Sequence, residues 1–224
     1  MMRTVYHGST GKVIDPKYGF DNRYNDFGAG FYCTEDTELA QEWAVRRDRD
    51  GRMNAYRVDE RQLEVMDLCS RRYTVLHWLA ILLENRTFDL GGGPAREARE
   101  YLIANFATPY RSADVIVGWR ADDSGFSFAQ DFLAGEISYS QLCTALRVGK
   151  LGRQYVLKSE RAFKATGFSG STKVLREGCL VRKESRDLIA RRKYLAELVK
   201  NRQPGDLRIG RIIDEGIRSD DKRL

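Results

Sequence analysis

Asp26-Phe27-Gly28-Ala29-Gly30-Phe31-Tyr32 is the stretch on which the reading of this chain turns, together with Val5-Tyr6-His7-Gly8-Ser9-Thr10 upstream of it. Glycine at every second position between aromatic rings is poor material for a packed core, because Gly28 and Gly30 bring no side chain to bury and lose more conformational freedom on folding. Such glycines belong where backbone passes close to something else or where a positive φ is needed. Phe27, Phe31 and Tyr32 are expected to supply flat apolar walls, for which a ligand containing a ring is the natural guest. Upstream, one of the chain's two histidines closes a β-prone run against Gly8. The two pieces are read as one site.

Around them the chain has the proportions of an ordinary globular protein, with 224 residues, 42% hydrophobic and 31% charged. That length suits one substantial domain or a domain with an appendage. No apolar run reaches the ~20 residues of a membrane span, and Met1-Met2-Arg3-Thr4 opens no secretory signal. Cys33, Cys69, Cys143 and Cys179 lie far apart, without a C-x-x-C pair. Neither a disulfide framework nor a metal site is expected, and a reducing, cytoplasmic setting is. Charge is uneven. Lys and Arg outnumber Asp and Glu by 15 to 9 over 171–224, which is the whole net charge of +6. A neutral body with a basic end points to an acidic partner, nucleic acid or protein.

Taken in order, residues 3–7 read as a strand and 9–25 as a polar loop. Residues 31–34 form a second strand, and Thr34 is a candidate N-cap for a helix over 36–48 with Leu39, Ala40, Trp43 and Ala44 on its apolar face. Strands are predicted at 54–58 and 63–68, helices at 74–86 and 95–106 on either side of Gly91-Gly92-Gly93-Pro94, and a doubly buried strand at 113–119. Helices over 126–133 and 138–146 precede a strand at 153–158, and 162–168 closes the body. From 185 to 200, Leu188, Ile189, Leu195, Leu198 and Val199 lie among Arg191, Arg192 and Lys193, predicting a basic amphipathic helix that either packs on the body by its Leu/Ile face, leaving the Arg/Lys face merely solvated, or offers its basic face to an acidic partner. Pro204-Gly205 ends it before a short final element. The fold class is α+β, with a body over 1–170 and a basic helical extension over 171–224. Trp43 and Trp78 are read as core, Asp114 as a satisfied structural group, and the Gly91–Gly93 run as a hinge, since it lacks the setting of a phosphate loop.

Tyr6-His7-Gly8-Ser9, then Phe27-Gly28-Ala29-Gly30-Phe31-Tyr32, then the acidic helix start with Ala40 and Trp43-Ala44 resemble the ADP-ribosyltransferase superfamily, in its diphtheria-toxin and poly-ADP-ribose-polymerase-like branch. There a His-Gly pair ends the first strand, a Gly-x-Gly-aromatic-Tyr strand follows, and a third residue, usually Glu, opens a later strand before Tyr and an aliphatic residue. Here that place is held by Gln154-Tyr155-Val156-Leu157. Residues 5–168 also resemble a bacterial family of uncharacterised proteins in that superfamily, through Asp26–Tyr32, Trp78-Leu79 to Asn85-Arg86, the strand at Asp114–Gly118, and Ala121-Asp122-Asp123.

The resemblance implies a split-sheet core and transfer of ADP-ribose from NAD with release of nicotinamide. In that reading His7, Tyr32 and Gln154 are the catalytic set, and His7, Gly8, Ser9, Tyr24, Phe27, Gly28, Gly30, Phe31 and Tyr32 hold NAD. Gly8 offers backbone N–H and C=O to the carboxamide, His7 and Ser9 meet ribose hydroxyls, Tyr32 stacks on the nicotinamide and Tyr24 closes its other face. Bond cleavage passes through an oxocarbenium-like centre, as in glycoside cleavage. Gln154 carries no charge and is no base, which argues against polymer elongation and against arginine modification through a Glu-x-Glu pair, and for mono-transfer. Asp26, Asp122 and Asp123 are the carboxylates available to supply the missing charge. An intracellular bacterial toxin or effector, of the kind found in toxin–antitoxin systems, acting on an acidic macromolecular target and neutralised by an antitoxin or immunity partner, is the expectation. The alternatives are a binding module that keeps NAD intact and a basic nucleic-acid-binding protein.

Overall fold

The computed structural model describes residues 1–19, 23–88, 92–121, 123–148, 152–200 and 205–224; of 123–125, 148, 187 and 197–200 only the backbone is described. The elements run β1 (Met2–Ser9), β2 (Phe31–Cys33), α1 (Thr37–Ala44), β3 (Gly51–Asp59), a 3₁₀ turn (Glu60–Gln62), β4 (Val65–Asp67), α2 (Val75–Asn85), α3 (Pro94–Phe106), β5 (Val115–Trp119), α4 (Asp123–Leu133), α5 (Tyr139–Val148), β6 (Arg153–Leu157), α6 (Glu160–Lys164), β7 (Thr166–Val174), α7 (Arg176–Lys200) and α8 (Ile209–Asp214). The protein is α+β, as expected.

It forms two compact units, each built from separate pieces of the chain. The first comprises Met1–Asp67, Pro109–Gly118 and Gly152–Arg186. Its first sheet has the order β1-β3-β7, both pairings antiparallel, with a bulge between Ala55 and Tyr56. Its second has the order β2-β6-β5-β4; β2 runs antiparallel to β6, and β4 parallel to β5. Both sheets feed one hydrophobic cluster: Val5, Tyr56 and Val58 come from the first, and Phe31, Cys33, Tyr155, Leu157, Val115 and Val117 from the second. Period-2 alternation lets each strand present one face to it. Val115 and Ile116 are both fully buried, as the continuous apolar run predicts. Where the sheets meet, Tyr6 and Thr34 exchange two backbone hydrogen bonds of 2.8 and 2.9 Å.

α1 starts later than predicted, because Asp36 rather than Thr34 caps it: Asp36 Oδ1 accepts from the N–H groups of Glu38 and Leu39, while Thr34 Oγ1 accepts from Asp36 N–H. It ends at Ala44, where Val45 turns extended and a bridge between Arg46 and Arg49 reverses the chain. Asp114 is satisfied as expected, accepting from Glu64 N–H at 2.7 Å and pairing with Arg161.

The predicted boundary after residue 170 is not a boundary. It falls inside β7, whose residues 171–174 pair with Asn54 to Gly51 of β3. The start of α7 is tied in as well: Arg186 pairs with the buried Glu42 of α1 at 2.5 Å, and Arg182 donates to Gln41 at 3.0 Å.

The second unit comprises Leu68–Thr108, Trp119–Leu151 and Asp187–Leu224. Its regular structure is helical, with Trp78 wholly buried, its indole N–H donating to Trp119 O at 2.9 Å. The expected Leu/Ile packing face of 185–200 is corrected here. Leu188, Ile189 and Leu195 are exposed, and Ala190 and Tyr194, four residues apart, are buried instead, with the Tyr194 hydroxyl donating to Asp131 at 2.7 Å. Gly91 lies outside the described residues, and the side chains of Leu198 and Val199 are not described. Among the described residues, no helix is long and apolar enough to cross a membrane.

Candidate functional site

A cleft of about 300 Å³ in the first unit is lined by His7, Asn25, Gly30, Phe31, Tyr32, Trp43 and Gln154. It draws on β1, the loop before β2, β2 itself, α1 and β6, so the three residues expected to form the catalytic set meet in one place.

His7 sits one residue past the Tyr6–Thr34 bridge. Its Nδ1 lies 2.7 Å from Tyr32 O. A carbonyl only accepts, so Nδ1 carries the proton and Nε2 is left as an acceptor. Burial pulls the imidazole below its ordinary pKa, with the Tyr32 carbonyl bond acting the other way. Its ring stacks on Phe31 at 4.4 Å between centroids, and Phe31 meets Tyr56 edge-on at 5.4 Å. The cleft is therefore offered a neutral histidine in a fixed tautomer and orientation.

Gly8 has two roles. A Cβ there would stand 2.0 Å from Ala40 O and 2.6 Å from Ala44 N, so its missing side chain is what lets α1 lie against β1. Its backbone faces elsewhere. In a strand, the N–H and C=O of one residue point to the same edge, and that edge alternates along the chain. Tyr6 bonds to Thr34 on the side away from β3. Gly8, two residues on, thus turns its own N–H and C=O to the same edge.

The glycine-rich segment is held from three sides. Gly28 adopts φ +74° and donates to Asn25 O at 2.9 Å. The Tyr32 hydroxyl accepts from Phe27 N–H at 3.0 Å and donates to Gly28 O at 2.7 Å. Lys158 Nζ donates to the carbonyls of Phe27 and Ala29. At Gly30 a Cβ would stand 2.6 Å from Val156 Cγ1, so this glycine exists for close approach to β6. The loop is set before any ligand arrives, as a binding surface requires.

Gln154 is 8% exposed, and among the described residues its Oε1 has no hydrogen-bond partner. A buried acceptor left unsatisfied costs about 1–3 kcal/mol, a cost that a donor reaching this enclosed oxygen through the cleft wall would relieve.

Other expected site residues are elsewhere. The Phe27 ring is fully buried and forms no wall of the cleft. Ser9 is engaged away from it, donating to Gly11 O at 2.7 Å and accepting from Asn54 Nδ2 at 2.9 Å. Tyr24 is 73% exposed and does not line the cleft. Gly28 shapes the loop without lining it. Of the candidate carboxylates, Asp26 is buried and not a lining residue; Asp122 lies outside the described residues, and the Asp123 side chain is not described. Sequence reasoning missed Trp43, assigned to the core but half-buried in the cleft wall, and Asn25. The sequence carried no signal for Trp43, which shares the apolar face of α1 with Leu39, Ala40 and Ala44 and reaches the cleft only because α1 lies against Gly8. Among the described residues, no group of three or more His, Cys, Asp or Glu is placed to hold a metal ion.

Residues 3–168 match the family described as "Protein of unknown function (DUF3990)", and the chain belongs to that family. No curated protein and no solved structure matches it significantly.

Proposed function

We propose that this DUF3990 protein is an NAD-dependent mono-ADP-ribosyltransferase. The observation that carries the reading is the convergence of His7, Tyr32 and Gln154 on one cleft, with the strand edge of Gly8 next in the chain to His7. In this reading Gly8 N–H and C=O pair with the nicotinamide carboxamide, and the ring lies among Tyr32, Phe31 and Trp43, with Trp43 in the part first given to Tyr24. Aromatic walls of this kind suit a flat heterocycle. His7 Nε2 accepts from one ribose hydroxyl, and Gln154 Oε1 accepts from another. The C1′–N bond breaks with its electron pair going to nicotinamide, which leaves as a neutral molecule. A bacterial toxin or effector acting in the cytoplasm on an acidic target, with a neutralising partner, is the biological setting that accompanies this reading.

The test uses full-length protein and NAD labelled in its adenylate. Release of free nicotinamide, with the label recovered on a macromolecule or as ADP-ribose, supports the proposal, and His7→Ala should lower the rate about 100-fold. NAD that stabilises the protein thermally yet stays intact for hours would favour the binding-module reading. NAD that neither binds nor reacts would overturn both.

A further inference from the structure

Sharing Gln154 with the aromatic cleft is a second one of about 340 Å³, whose lining includes Thr34, Glu35, Asp36, Arg153 and Tyr155. Most of its polar groups are committed. Asp36 Oδ1 caps α1, Thr34 Oγ1 accepts from Asp36 N–H at 3.1 Å, and the Tyr155 hydroxyl donates to Glu60 at 3.0 Å. Glu35 is different. Its Oε1 accepts from Arg3 at 2.7 Å, but its Oε2 stands 3.9 Å from Arg153, beyond hydrogen-bond reach. Gln154, whose Oε1 has no hydrogen-bond partner among the described residues, lies buried behind the same lining. Among the described residues, Glu35 Oε2 is held by no hydrogen bond of its own.

We propose that this second cleft is the acceptor subsite and that Glu35 takes the proton from an incoming hydroxyl; the inference rests on the transferase reading above. As the C1′–N bond breaks with its electrons leaving on nicotinamide, the acceptor oxygen uses a lone pair to bond C1′, and its proton passes to Glu35 Oε2. Glu35 supplies the carboxylate that Gln154 does not. Its surroundings also select the acceptor. Arg3, which also pairs with Glu60, and Arg153 both flank the carboxylate, so a guanidinium or ammonium acceptor would bring a positive charge to Glu35, whose own charge is already matched there. A neutral hydroxyl brings none. The substrate class is an alcohol, not an arginine or lysine side chain.

The experiment gives full-length protein NAD together with methanol as the simplest alcohol or agmatine as a cationic acceptor, and reads O-methyl-ADP-ribose, the agmatine adduct and free ADP-ribose. The wild type should form the methyl product and no agmatine adduct. Glu35→Gln should lower methanol transfer about 100-fold, as loss of a positioned proton acceptor does, with the Kd for NAD changed by less than about twofold. Glu35→Asp should recover part of the rate, and Arg153→Glu should admit agmatine. If NAD is bound and cleaved while Glu35→Gln transfers at the wild-type rate, or if the wild type prefers agmatine, this inference fails and the transferase reading stands. If NAD is bound but never cleaved, or is not bound at all, both fail together.

Discussion

The two clefts that share Gln154 differ in kind. One is walled by Phe31, Tyr32 and Trp43, and its histidine is neutral by burial; the other is lined by Glu35, Asp36 and Arg153. The first suits a flat ring that must be gripped without competing charge, and the second suits a step in which a proton changes hands. The side chain between them is uncharged, so on the transferase reading the negative charge that a transient cation needs is left to Glu35 in the second cleft.

The largest effect expected on this division comes from Gly8→Ala. The added methyl meets the helix backbone at Ala40 and Ala44, not a movable side chain. α1 must shift and carry Trp43 with it. Urea unfolding should show a loss of about 3 kcal/mol, the upper range for overpacking, and the aromatic cleft should fail before the charged one. Tyr32→Phe is next. It removes the hydroxyl that joins Phe27 N–H to Gly28 O, which should cost about 1–3 kcal/mol and loosen the loop, again measured by urea unfolding.

A smaller effect follows from pH. Burial holds both His7 and His77 below the ordinary value of 6.5, so below that value the unfolded chain binds protons that the folded protein does not. Stability is then complete above about pH 6.5 and falls as pH drops toward the lowered native values. Unfolding at pH 7.5 and 5.5 should show this decline, and His7→Asn should remove the share that belongs to the aromatic cleft. The smallest effect on stability is expected at Gln154. Its Oε1 makes no hydrogen bond among the described residues, so Gln154→Leu should cost no stability, the removal of an unsatisfied acceptor acting only to raise it, while ligand affinity drops. A large loss of stability there would mean that Gln154 is structural and that the two clefts do not communicate through it.

Much of this was legible in the chain. The β-prone run ending at His7, the glycine-rich segment and Gln154-Tyr155 each announce themselves by residue type, and strand pairing then brings them together. What stayed hidden depended on tertiary neighbours. Gly8 reads as open backbone, and nothing local says that a helix will lie 2.0 Å from its absent Cβ. Phe27 and Phe31 are equivalent in the sequence, yet the Phe27 ring is wholly buried away from the cleft, while Phe31, part of the hydrophobic cluster, also stacks under His7. The basic tail misled because a helical stripe of Leu and Ile does not specify which face meets a neighbour. In α7 the face of Ala190 and Tyr194 is buried, and residues 171–174, grouped with the tail by charge, complete a sheet.

The edge-facing amide of Gly8 has a consequence for how recognition here can be probed or lost. Contacts written in main-chain atoms survive any exchange of side chains that leaves the strand in place, so a scan by alanine would pass over them. Replacing the peptide N–H of Gly8 with an ester oxygen, through chemical synthesis or suppression, removes one donor and no packing. If the transferase reading holds, selectivity for the nicotinamide carboxamide should then vanish while the protein melts where it did before.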